Sequence, residues 1–439
     1  MKVESPRRSR RLIAAIVVGA ILAACQPAPI ATPTLQPSVP LSPTRAVTPN
    51  SPIVPTPTTG PASTHMTLRL WTSPEAAPGN QTPGGPALAG QLVAFEAANP
   101  GVTVEVRVKK ASGVGGLLDF LRTGSAAAPA VLPDVIALSR DDLVAAANDR
   151  LIQPLTPLLP ADSLSDFYPM TVAAGRVGDQ LYGLPFSADA IVLVYRTEIH
   201  STPPLAWSDV LTPTGALLIP AGDPLGLVTL QQYIAIGGSL TDSNGKPALD
   251  PVALAQVLAF YQSAVQAGIL PSNAGDYADA SAAWAAYREH RAALAAAPAT
   301  LFLRERDRAP ATGVTLLPTR DGNPLALGAA WSYALVTTDA ARQPSAMALM
   351  QWLTAPRNVG DWSLAAGVLP PRSNALDAWP DKSLAAFASR VMSAAILQPD
   401  PATLAVLGPP IQQSATDVIA GRISPQAAAE RAAAAVVGK

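Results

Sequence analysis

The chain has 439 residues, of which 49% are hydrophobic and only 14% charged, with 46 prolines, one cysteine and a formal net charge of -1. A typical soluble domain is about 25% charged, so this surface is unusually neutral, and 30 basic against 31 acidic residues leave no electrostatic footprint for nucleic acid. The hydrophobic content excludes a disordered chain, and a lone cysteine excludes both an internal disulfide and a thiolate metal cage.

Residues 1–11 carry Lys2, Arg7, Arg8, Arg10 and Arg11 against Glu4, and an apolar run of 13 residues follows, from Leu12 to Ala24. That run is too short to span about 30 Å of hydrocarbon, which takes about 20 helical residues. A basic head with a short apolar core predicts a secretory signal peptide over 1–24. It ends in Leu22-Ala23-Ala24-Cys25, which resembles a bacterial lipobox, so Cys25 is the expected lipidation site and membrane anchor. The stretch to residue 65 holds 11 prolines, many Ser and Thr, and the single charge Arg45. It has no apolar period and reads as an extended tether, 25–65, between lipid and a folded body.

The body starts near Met66. Thr67 to Trp71 alternates as a strand; Leu88, Leu92 and Phe95 share one face of a helix over 86–98 that Asn99-Pro100-Gly101 stops. Val102, Val104, Val106 and Val108 predict a second strand, and Leu117, Leu118 and Leu121 a second helix. Val135 to Leu138 is suited to a central parallel strand, with Ser139 and Asp142 at capping-box spacing behind it. This βαβαβ order predicts an α/β fold, with ligands outside the carboxyl ends of the strands. Further on, Arg176 to Tyr182 predicts a tight hairpin, Ile191 to Tyr195 a long apolar strand, and the alanine-rich 250–300 stretch helices. An extended 318–328 segment leads to a strand at 329–336. A helix from Pro344 stops before Pro356, and 403–439 is mostly helical.

The order of these landmarks resembles the family 1 extracellular solute-binding proteins of ABC importers, similar to maltose- and other sugar-binding lipoproteins. The resemblance spans about 66–439. It is carried by Leu68 to Trp71, Phe95-Glu96 with Asn99 to Val102, Pro133-Asp134-Val135, Leu181-Tyr182-Gly183-Leu184-Pro185 and Val194-Tyr195-Arg196. Trp207 to Val210, Trp352-Leu353-Thr354, Gly367-Val368-Leu369-Pro370 and Gly421 to Pro425 complete it. It implies a two-lobe, type II periplasmic-binding-protein-like α/β fold with a hinge of crossing segments and an interlobe cleft. The expected lobes are 66–186 with 332–370, and 190–326 with 375–439. It also implies a small-molecule ligand, most often a sugar, and ABC permease subunits as partners. No cofactor or metal and no chemical step are implied. The expected location is the extracytoplasmic face of the cell membrane, and a monomer is the default.

The resemblance directs attention to a set of candidate ligand contacts. Trp71, Ser73 and Glu75 follow the first strand. Ser139 and Asp141 follow the 135–138 strand, where sugar-binding relatives place an aromatic and an acid; the aromatic is missing here, and Ser139 can equally serve as a helix cap. Asp189 lies six residues before Tyr195, where relatives keep an acid. Trp284 is a candidate platform in the second lobe, Trp331 and Tyr333 share one side of an extended segment, and Arg372 follows the third crossing. Arg372 also fits a salt bridge on the hinge rim, and Trp207, Trp352, Trp362 and Trp379 read as structural. Polyamine, phosphate-ester and peptide ligands stay open as alternatives to sugar. A carbohydrate-acting enzyme would need Glu75 and Asp189 to converge, and neither sits in a glycosidase motif. His65, His200 and His290 lack metal-ligand spacing, and no GxSxG elbow or P-loop occurs.

Overall fold

A computed structural model describes residues 65–437 except 161 and 213–214. The expected signal peptide, Cys25 and the tether up to residue 64 lie outside the described residues.

The first strand, β1 (Met66–Thr72), runs parallel to β2 (Val102–Val108) and β3 (Val135–Ser139), with Leu70 opposite both Val106 and Val135. The helix Gly85–Ala98 bridges β1 and β2 and buries Leu88, Leu92 and Phe95, the stripe that the 3–4 spacing predicts. Asn99 ends it by donating its side-chain amide to the Phe95 carbonyl. Edge strand β2 is part-buried along most of its length rather than alternating, and Val108 at its end is half exposed. The helix Arg140–Asn148 starts where the capping spacing places it: Ser139 Oγ accepts the Asp142 N–H at 3.3 Å. A short hairpin of β4 (Arg176–Val177) and β5 (Gln180–Leu181) turns at Gly178, whose φ of 57° suits glycine.

Two long strands follow from opposite ends of the body. β6 (Gly183–Arg196) pairs antiparallel with β10 (Ala326–Leu335) over Gly183–Ala190. Its second half leaves β10 and pairs with β8 (Leu294–Pro298) and β9 (Thr312–Thr315). β10 in turn pairs with β3 through Trp331–Leu335 and with β11 (Ala395–Leu397) at its start. β7 (Leu217–Leu218) closes a nine-stranded sheet of order β2-β1-β3-β10-β6-β8-β7, with β9 and β11 as side pairings. A third passage of the chain joins where Leu369 exchanges both backbone hydrogen bonds with Ala188.

Two segments differ from the sequence expectation. The apolar strand at Ile191 to Tyr195 is the second half of a longer one, because Pro185, Ser187 and Asp189 hide its first half from a hydrophobicity count. Leu294–Pro298, expected within a helical stretch, is a strand with both faces buried. Leu294 and Ala296 enter one core, Ala295 and Ala297 another. Three successive alanines conceal that period of two, and packing on both faces overrides alanine's helical preference.

Four hydrophobic clusters flank the sheet. Leu68, Leu70, Phe95 and Leu349 lie on one side of the β1–β3 half, with Trp71, Leu121, Ile136 and Leu143 on the other. Around β6 and β8, Leu193, Leu258, Tyr261 and Leu407 form one cluster, and Val192, Val194, Trp284, Tyr287 and Phe302 the opposing one. Each fully buried side chain of this size contributes about 1.5–3 kcal/mol, so the clusters hold rigid the strands whose ends carry the site.

Candidate functional site

Ser187 and Asp189 project from one face of β6 by the period of two, and Trp331 stands opposite Ser187 on β10. Three further groups of residues close over them. Ser73 and Glu75 come from the loop beyond the carboxyl end of β1, and Ala111 from beyond β2. Thr300 and Arg304 come from the helix Ala299–Glu305 that follows β8, and Trp362 and Val368 from the helix Pro356–Ala366 and the turn after it. Together with Ala76 and Phe186 they line a cavity of about 330 Å³, at the low end of ordinary ligand sites. Its position beyond the carboxyl ends of β1, β2 and β8 is the one an α/β sheet reserves for ligands.

Asp189 is held by neutral donors. Its Oδ2 accepts the Thr300 hydroxyl at 2.7 Å, and its Oδ1 accepts the Thr300 N–H at 3.1 Å and the Ala190 N–H at 2.8 Å. Burial pushes its carboxyl above the usual carboxylate range, against the pull of those three donors and of Arg304 nearby. A carboxylate offers about four lone-pair directions, so three donors leave capacity for a hydroxyl from a ligand. Arg304 spends its Nε on the Ala366 carbonyl at 2.9 Å, and among the described residues its two Nη groups have no acceptor.

The aromatic wall follows from a register shift between Trp331 and Ser332. β6 carries an extra residue there, and Phe186 is laid over Tyr333 at 4.3 Å with an interplanar angle of 21°. Trp362 meets Phe186 edge-on at 5.5 Å, and its buried Nε1 has no partner among the described residues. The cavity thus sets the part-exposed Trp331, with small areas of the nearly buried Phe186 and Trp362, beside donors and acceptors from Ser73, Glu75, Ser187, Asp189 and Arg304.

Of the ten candidate contacts read from the sequence, Ser73, Glu75, Asp189 and Trp331 come together in this cavity. The other six lie elsewhere. Trp71 is buried in the core, with the Lys109 ammonium 4.5 Å from its ring centre. Ser139 caps its helix, and Asp141 lies exposed on that helix. Trp284 is 2% exposed, packs on Tyr287 and donates its Nε1 to Glu305. Tyr333 is covered by Phe186, and Arg372 forms a bidentate pair with Asp166 at 2.6 and 2.8 Å. Phe186, Ser187, Thr300, Arg304 and Trp362 line the cavity without having been singled out for it. Ser187 was findable, two residues before Asp189 on an alternating strand. Thr300 and Arg304 were hidden by reading the alanine run before them as helix.

A larger concavity, about 600 Å³, opens at the other end of β1 and β3, lined by Arg69, Asp134, Arg150 and Arg342 among others. Its acid Asp134 is already paired: Arg342 grips it through Nε and Nη2 at 2.7 Å each, and it also accepts the Arg69 N–H. Among the described residues no cluster of three or more His, Cys, Asp or Glu is arranged to hold a metal, and no helix is long and apolar enough to cross a membrane.

Comparison with known proteins gives a consistent picture. A profile described as bacterial extracellular solute-binding protein matches residues 91–388. Among solved structures, the chain resembles the cyclic alpha-maltosyl-1,6-maltose binding protein from Arthrobacter globiformis at 17% identity and a TM-score of 0.69, covering 85% of this chain and 98% of that one. It resembles the sugar-binding protein MalE from Xanthomonas citri at 20% identity and 0.68, covering 85% and 98%. It also resembles an ABC transporter solute-binding protein from Agrobacterium radiobacter K84, solved with ribitol, at 20% identity and 0.59, covering 84% and 97%. At these identities the likeness establishes the fold, the two-lobe α/β architecture of periplasmic binding proteins.

Proposed function

The chain belongs to the bacterial extracellular solute-binding protein family of ABC transporters, and on that footing we propose that it captures a small carbohydrate or polyol in the cavity between Trp331 and Asp189 and delivers it to an importer permease. The observation that carries this reading is the pairing of flat ring surface with hydrogen-bonding groups in one enclosure of about 330 Å³. A sugar ring has apolar faces that suit aromatic carbon and hydroxyls that need partners once buried. Asp189 and Ser187 supply acceptors, Arg304 donors, and Trp331 the main aromatic surface, with small areas of Phe186 and Trp362 beside it. The ligands of the structural neighbours, maltose-type sugars and ribitol, support the same class.

The proposed lobes are 66–186 with 332–370 and 190–326 with 375–439, so that β6, β10 and the passage at Leu369 form the hinge. Ligand closes such a hinge only by binding the closed form better than the open one. Cys25 is the proposed lipid anchor, holding a monomer on the extracytoplasmic membrane face; a Cys25→Ser chain should be released from the membrane and lose lipid label. No catalytic step is part of the reading.

One observation favours a second ligand class. The uncommitted Nη groups of Arg304 suit an anionic solute such as a phosphate ester, and the same cation disfavours a polyamine. A thermal-shift screen with mono- and oligosaccharides, polyols, glycerol phosphates, amino acids and polyamines separates the two. Ligand at about 1,000 times Kd stabilises the native state by about 4 kcal/mol. The expected hit is a neutral sugar or polyol; stabilisation by glycerol phosphates alone would replace it with the anionic class.

A further inference from the structure

The cavity has one polar connection between its walls that ligand recognition alone does not explain. Arg304, on the helix Ala299–Glu305, reaches across to the carbonyl end of the helix Pro356–Ala366 and donates its Nε to Ala366 at 2.9 Å. Exposed carbonyls at a helix C-terminus carry partial negative charge, so a guanidinium there is favoured by charge as well as by hydrogen bonding. The next residue, Gly367, sits at φ 64° and packs against the main chain of Arg304. A Cβ there would lie 2.5 Å from Arg304 Cγ, 3.1 Å from its N and 3.2 Å from its Cα. The contact is therefore close because residue 367 has no side chain. The two sides belong to different cores: Ala366, Val368 and Trp362 pack with Leu68 and Phe95, whereas Phe302 and Leu303 pack with Trp284 and Val192.

We propose that Arg304 is a positioning residue that latches the two walls of the cavity together, with Gly367 as its receiving surface, and that its free Nη groups put the same residue in reach of the solute. The inference rests on the solute-binding reading for its purpose, but the latch itself is made by protein groups alone. It makes the joined arrangement of the two walls partly self-supporting, so that a solute oxygen on the Nη groups would reinforce the same contact. Removing the latch shifts the population toward an open form and lowers apparent affinity in proportion to the competent fraction lost.

The test uses paired spin labels on the full chain in a Cys25→Ser background, at Asp307→Cys and Arg357→Cys. Their native side chains are 91% and 85% exposed, one just after the Arg304 helix and one on the helix that ends at Ala366. Without ligand, Arg304→Ala and Gly367→Ala should each move the distance distribution to longer values and broaden it, with Arg304→Lys in between. Gly421→Ala is the control: Gly421 has a similar φ of 70° with nothing within 4 Å of its Cβ position, so it carries the backbone strain without the contact. An unchanged distribution in Arg304→Ala overturns the latch, and so does a Gly421→Ala shift as large as that of Gly367→Ala. Because no solute enters the measurement, a negative result here leaves a positive sugar screen standing, and a blank sugar screen leaves a positive result here intact.

Discussion

The central sheet carries a carboxylate of consequence at each end, and the two are treated in opposite ways. Asp134, before β3, is 4% exposed and gripped by Arg342 at two points, with the Arg69 N–H on Oδ2 as well. Asp189, on β6, has no such grip: a hydroxyl and two backbone N–H groups hold it, and Arg304 is near but bonded elsewhere. The first arrangement saturates its acid with positive charge and ties the start of β1 to the helix Gln343–Thr354, because Arg342 also donates to the Thr67 carbonyl. The second keeps an acid underfilled beside a cavity. An acid that completes its bonding within the protein is structural; one left short of donors, next to ring faces, is equipped for something from outside.

The contrast can be broken at several points. The largest effect is expected from Arg342→Ala, which strands Asp134 in the interior. Removing one partner of a buried pair costs about 3–5 kcal/mol, and the part-exposure of Arg342 puts the cost near the lower figure, readable by chemical denaturation. Ligand binding should be untouched. Next comes Thr300→Val, which deletes the hydroxyl on Asp189 and should cost about 1–2 kcal/mol while also weakening ligand affinity. The smallest effect, and the sharpest in sign, is from Asp189→Asn. Burial raises the Asp189 carboxyl in the folded state, so the fold binds that proton more tightly than the unfolded chain does. Stability from this group is therefore complete below the ordinary carboxylate pKa of about 3.9 and declines as pH rises toward the raised folded value. The asparagine variant lacks that decline, and melting curves from pH 4 to 7 should be flatter than the parent's.

How much of this could be read from residues alone depends on whether side chains advertise their environment. The βαβαβ start was legible because Leu88, Leu92 and Phe95, and the valines of β2, have the right spacing and enough bulk to show it. Leu294–Pro298 was not, because alanines alternate between two cores without any contrast in size. That one misread element concealed Thr300 and Arg304 immediately downstream. Trp284 and Tyr333 show a second limit. Large aromatics on a regular face satisfy the periodicity of a core and of a binding wall equally, and only the neighbours decide. Glu305 and Tyr287 enclose Trp284, and an extra residue in β6 lays Phe186 over Tyr333. Asp189 was conspicuous for the opposite reason, as an acid in an apolar strand.

The most direct measurement is calorimetric titration of the parent chain, Trp331→Ala, Asp189→Ala and Trp284→Phe with the solute that gives the largest shift in the thermal screen. If the cavity is the binding site, Trp331→Ala and Asp189→Ala each weaken binding about tenfold or more, a loss of about 1.4 kcal/mol, and Trp284→Phe stays within twofold of the parent. Affinities within twofold of the parent in both Trp331→Ala and Asp189→Ala would place the solute elsewhere on the molecule.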